Sequence, residues 1–91
     1  MTLEILEKEM TNARRNKDTV RITALSGLVS AVKKAAIDKR CKDNITEELV
    51  DEVLIKEQKM VQEMIDTCPA DRTELLHDYH TRMAVIREFA P

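Results

Sequence analysis

Side chains able to do chemistry are thinly spread along this chain, so their spacing decides which of them could act together. His77 and His80 stand one turn apart on a helix, a spacing at which two imidazoles can face one metal ion. No third ligand lies at a fixed offset and the HExxH arrangement of zinc proteases is missing, so both read as solvated surface histidines. Cys41 lies between Arg40 and Lys42, a positive setting of the kind that favours a thiolate, but no histidine close in sequence could serve as its base. Cys41 and Cys68 lack CxxC spacing and read as free thiols. Ser26 and Ser30 have no GxSxG setting, and a single glycine cannot build a phosphate-cradling loop. Acidic residues are plentiful, yet none forms a recognisable acid–base pair. The residues therefore predict no catalytic site, no metal and no cofactor.

The basic residues carry more information. Arg14, Arg15, Lys17 and Arg21 surround one turn, and Lys33 and Lys34 lead into Lys39, Arg40 and Lys42. Such a set could contact nucleic-acid phosphates, or an acidic partner, with little readout of sequence. A solvated surface matched to helix dipoles is the competing assignment. Residues 1–44 hold ten Lys/Arg against six Asp/Glu, a net +4, whereas residues 45–91 hold five against eleven, a net −6. This asymmetry fits a basic hairpin packed on an acidic one, or a basic surface for phosphate beside an acidic one for a protein. With Tyr79 and Phe89 the only aromatics, platforms for stacking bases are almost absent.

The elements that position these groups are helices. The chain of 91 residues is one domain in size, and its single Gly, two Pro and wealth of Ala, Leu, Glu, Lys and Val describe an all-α fold. The stretch VRITALSGLVSAVKKAAI, Val20 to Ile37, is the predicted centre. It carries no charge between Arg21 and Lys33 in a chain that is 35% charged. Ile22, Leu25, Val29, Val32 and Ala36 make one apolar row, and Ala24, Leu28, Ala31 and Ala35 an adjacent one, too wide together for a single partner. Gly27 should cost about 1 kcal/mol there relative to Ala, which suggests close approach of another backbone.

Leu3, Leu6, Met10 and Ala13 predict a first helix capped by Thr2, and Asn16 suits a left-handed end before Asp18 caps the central helix at about 19–40. Thr46, flanked by Ile45 and Val50, opens a third helix with Glu47, Glu48, Asp51 and Glu52 in its first turns. Glu57 interrupts the apolar stripe of that helix, so it is expected to pair with a Lys or Arg, the end of the second helix being one source, or to tip out to water at a helix crossing. Pro69 stops the helix, Asp71 with Glu74 resembles a capping box, and Leu75, Leu76, Tyr79, Met83, Ile86, Phe89 and Ala90 form the fourth stripe. The architecture expected is four helices as two hairpins around the central one. No run approaches the roughly 18 apolar residues of a membrane span, and the acidic start is unlike a signal peptide, so a cytoplasmic location is expected.

Several stretches together resemble the YqeY family. In KDTVRITALSGLVSAVKKAAIDKR the matching positions are Lys17, Asp18, Arg21, Leu25, Ser30, Ala31, Val32 and Lys33. ITEELVDEVLIKEQK is similar to that family's opening of the third helix, with Thr46, Glu47, Lys56 and Glu57 in the matching places, and ADRTELL and EFAP resemble its later segments. The family's Arg after the first Leu of the second helix stands as Ser26 here. The resemblance implies an amino-terminal helical domain over residues 1–91. In the family it is usually followed by a second helical domain like the tail of the GatB subunit of tRNA-dependent amidotransferase, which is expected to be missing from this chain. It also implies association with tRNA or an amidotransferase complex, a carbon–nitrogen ligase using glutamine as amide donor, although the residues offer no means of performing that reaction. The alternative is a protein-interaction or homo-oligomerisation module without a nucleic-acid role, suggested by the adaptable Met60, Met64 and Met83.

Overall fold

The computed structural model describes residues 1–41 and 43–91; Lys42, named above with the basic residues, lies outside the described residues. Four helices follow in order: α1 (Leu3–Arg15), α2 (Thr19–Asp38), α3 (Glu47–Thr67) and α4 (Thr73–Phe89). The fold is all-α, as the composition requires. Consecutive helices pair as α1 with α2 and α3 with α4, and α2 also packs on both α3 and α4. The second helix is thus the shared element, while α1 lies to one side of the other three. That placement stretches the molecule to 44 × 30 × 20 Å and its radius of gyration to 13.6 Å, against about 12 Å for a rounder chain of this length.

Local chemistry sets the helix starts. The Thr2 hydroxyl accepts from the Ile5 N–H at 3.2 Å, the Asp18 carboxylate from the Arg21 N–H at 3.2 Å, and the Thr46 hydroxyl from the Leu49 N–H at 3.2 Å. Each satisfies a backbone donor that the helix cannot satisfy itself. The fourth start departs from expectation. Asp71 does not cap α4: the N-cap residue is Arg72, with no side-chain hydrogen bond. The Arg72 N–H donates to the Pro69 carbonyl at 3.0 Å, and this tight turn leaves Asp71 outside the capping position.

The helix ends are also informative. Lys17, not Asn16, takes the left-handed conformation after α1, with φ 55°, and Arg40 does so after α2, with φ 56°. Both ends carry the same hydrogen-bond pattern. After α1 the Lys17 and Asp18 N–H groups return to the Arg14 and Ala13 carbonyls at 3.1 and 3.0 Å. After α2 the Arg40 and Cys41 N–H groups return to Ile37 and Ala36 at 3.0 and 2.8 Å. These are Schellman ends, which normally place glycine or asparagine where this chain has Lys and Arg.

The core is aliphatic, and among the described residues no polar side chain is buried in it. From α2 come Ala24, Leu25, Leu28, Val29, Val32 and Ala36; Leu6 and Ala13 meet them from α1, Leu49, Val50, Val53, Leu54 and Val61 from α3, and Met83, Val85 and Ile86 from α4. Val85 was not part of the anticipated fourth stripe, and Leu75, which was, is exposed. Enclosure of α2 is incomplete. Thr23, Ser26, Gly27 and Ser30 face outward, so the absence of charge on that side does not reflect burial. No backbone approaches Gly27: a Cβ built on it would meet nothing within 4 Å.

Candidate functional site

The six basic residues expected to contact phosphate or an acidic partner separate into groups once folded. Arg14 and Arg15 end α1, Lys17 occupies the turn, and all three side chains are exposed. Among the described residues none of the three has an ion-pair partner; the nearest polar contact of Arg14 is the Met10 sulfur at 3.9 Å. The turn gathers them at one tip of the α1–α2 hairpin. Lys33 and Lys34 lie farther along α2, roughly 20 Å from that tip at 1.5 Å per residue. Lys34 is exposed, whereas Lys33 leans toward Glu7 at 3.8 Å. Lys39, beyond the helix, pairs with Glu52 at 3.0 Å.

Arg21 is committed elsewhere. Its guanidinium donates to Glu88 at 2.6 Å and to Glu9 at 3.4 Å, and lies 5.8 Å from the centre of the Phe89 ring. One side chain of α2 therefore ties α1 to α4. The hydrogen bond to Glu88 raises its pKa above the usual arginine value. Partial desolvation opposes the rise, and the charge of Glu88 with the hydrogen bond and charge of Glu9 adds to it. A guanidinium with both ends occupied is a structural cation first.

Glu57 finds the cation its setting demands, and of the possible sources it is α4 that supplies it. Arg82 of α4 donates to it at 3.3 Å, with the Glu57 side chain 16% exposed. The end of α2 does not supply it, because Lys39 is taken by Glu52 nearer the start of α3. Glu57 and Arg82 together fasten α3 to α4.

His77 and His80 are both exposed, and no three His, Cys, Asp or Glu side chains converge on a metal position among the described residues. Of the three methionines that suggested an adaptable contact surface, Met83 is in the core, Met64 is half-buried and only Met60 is exposed. Sequence reasoning missed an open groove of about 550 Å³ between α2 and α4, lined by Val20, Thr23, Ala24 and Gly27 on one side and Leu75, Asp78, Tyr79 and Arg82 on the other. Gly27 was its signal: a glycine inside a helix, with no crossing backbone to account for it, marks a depression in the surface.

The hairpins α1–α2 and α3–α4, joined by the packing of α2 on both helices of the second around a small aliphatic core, define a small all-α module. The model of the family described as Yqey-like protein matches residues 3–91, and the chain belongs to the YqeY family. No curated protein and no solved structure matches it.

Proposed function

We propose that this chain is a helical binding module that contacts the phosphate backbone of an RNA, with tRNA as the ligand class its family resemblance favours, and that it does so through the α1–α2 tip. The observation that carries the reading is the set Arg14, Arg15 and Lys17: three exposed cations at one corner, without ion pairs among the described residues. Lys17 adds weight to it. A lysine there keeps a left-handed backbone that glycine would adopt at lower cost, so the side chain has a use the backbone alone does not explain. Lys34, exposed farther along α2, extends the contact, and Lys33 joins it by releasing Glu7. Arg21 contributes by holding α1, and with it the tip, against α4. In this reading any amide transfer belongs to an associated tRNA-dependent amidotransferase, and the chain supplies binding only.

The test is a titration with tRNA at several salt concentrations. Phosphate contacts release counterions, so affinity should fall linearly with salt on logarithmic axes. Replacing Arg14, Arg15 and Lys17 by Gln should flatten that slope by about two to three counterions. Absence of binding at low ionic strength would rule the RNA reading out. An oligomerisation module is the second reading, favoured by exposed Val20, Leu75 and Met60. A stable dimer in light scattering, with no affinity for tRNA, would select it.

A further inference from the structure

Independently of the basic tip, the groove between α2 and α4 has the form of a helix-docking site. Val20, Thr23, Ala24 and Gly27 follow one another at i, i+3, i+4 and i+7 along α2, and Leu75, Asp78, Tyr79 and Arg82 do the same along α4. The two rows, with Gly27 leaving a gap in the α2 row, border a trough into which another helix could press its side chains. Val20 and Leu75, 53% and 37% exposed, form apolar walls that no element of this chain covers. Two smaller hollows prolong the trough. One, of about 520 Å³, reaches back to Asp71 and Glu74; the other, of about 270 Å³, reaches forward to Asp18, Thr81 and Val85. From Thr73 to Val85 along α4 is about 18 Å, so a helix of roughly 12 to 14 residues spans the trough.

The charges on the rim select the occupant. Asp18, Asp71, Glu74 and Asp78 line these three hollows, and none belongs to an ion pair among the described residues. Asp18 spends one oxygen on the Arg21 N–H. Two of the basic side chains that face the same space are spent. Arg21 is held by Glu9 and Glu88 and Arg82 by Glu57, which leaves Arg72 at one end and the imidazole of His77. The dipole of α4 accounts for Glu74 in its first turn, but not for Asp78 in its second. The trough is therefore apolar in its walls and anionic along its edge. We propose that it docks one amphipathic helix of a partner protein, whose apolar side chains enter between Val20 and Leu75 and whose Lys or Arg residues meet Asp71, Glu74 and Asp78.

Two synthetic helical peptides of about 14 residues, with leucines at i, i+3, i+4 and i+7 and either Lys or Glu at the remaining positions, test this by fluorescence anisotropy against the intact chain. The Lys peptide should bind, and the Glu peptide roughly tenfold or more weakly. Gly27→Gln, which fills the gap in the α2 row while improving helix propensity, should weaken the Lys peptide by about tenfold without lowering the thermal midpoint. Glu74→Lys with Asp78→Lys should invert the preference between the peptides. Failure of the Lys peptide to bind, equal binding of both peptides, or indifference to Gly27→Gln would each overturn the proposal. A concentration-dependent dimer that Gly27→Gln dissociates would give the trough to a second copy, and loss of tRNA binding in Gly27→Gln would give it to RNA; either result overturns the partner helix.

Discussion

Truncating Arg21 to Met is the sharpest perturbation the structure offers, because one residue both joins three helices and belongs to the basic set expected to meet phosphate. Its side chain is 26% exposed and its partners Glu9 and Glu88 are 35% and 48% exposed, so each pair is screened by water and contributes about 0.5 to 1 kcal/mol. Contact with the Phe89 ring adds about 0.5 kcal/mol. Together these give a loss of about 2 kcal/mol, a shift of roughly 1 to 2 M in a urea midpoint and a fall on the order of 10 °C in Tm. Met keeps most of the apolar stem, so the loss reports the charge. A double-mutant cycle with Glu88→Gln isolates the pair and should return a coupling of about 0.5 to 1 kcal/mol. The sign of the pH dependence follows from the raised pKa. Stability from this group is complete below the unfolded-state value and is lost only as pH rises through the higher folded one, so near neutrality it is constant. An Arg21→Met protein with unchanged urea midpoint and much weakened tRNA binding would refute the assignment of Arg21 to the fold.

Gly27→Ala should raise stability by about 1 kcal/mol, read as a higher Tm, since the added Cβ meets nothing and the helix gains propensity. Lys17→Gly should stabilise by about 0.5 to 1 kcal/mol in urea titrations by relieving the left-handed lysine, and should at the same time weaken tRNA binding. Arg82→Met should cost about 1 to 3 kcal/mol by leaving the Glu57 carboxylate half-buried without its cation, and Glu57→Gln added to it should recover part of that loss in the same assay. Leu54→Ala, at a fully buried position of α3, should cost about 2 to 5 kcal/mol in the same titrations.

Helix number, order and most boundaries were legible because they rest on local chemistry: Thr2, Asp18 and Thr46 are caps whose partners lie three residues away. The same locality explains the misses. Asp71 and Glu74 have the spacing of a capping box, but the Pro69–Arg72 turn moves the helix start beyond Asp71, and that turn depends on backbone geometry rather than residue type. Asn16 is the better left-handed residue by preference, yet α1 runs to Arg15 and the register of the Schellman hydrogen bonds puts Lys17 in the position. Tertiary partners were harder to see. The need of Glu57 for a cation could be read from its place in an apolar stripe, whereas the choice of Arg82 depends on how α3 and α4 cross. Arg21 looked like its neighbours Arg14, Arg15 and Lys17 in sequence, and only the approach of α4 turned it inward. The missing charge on the outer face of α2 resembled burial because periodicity reports polarity and cannot distinguish a covered face from an open one made of Thr, Ser and Gly.

Because α1 rests chiefly on α2 while α2 rests on three neighbours, cooperativity should not be uniform along the chain. Opening of the first segment requires Leu6 and Ala13 to leave the core and Glu7, Glu9 and Asp51 to be released by Lys33, Arg21 and the Met1 amino group, but it leaves the contacts among α2, α3 and α4 in place. Amide protons of residues 3–15 should then exchange with deuterium sooner than those of α2, through a partial opening that precedes global unfolding. A ligand gripping the α1–α2 corner would slow that exchange at a distance from the contact itself.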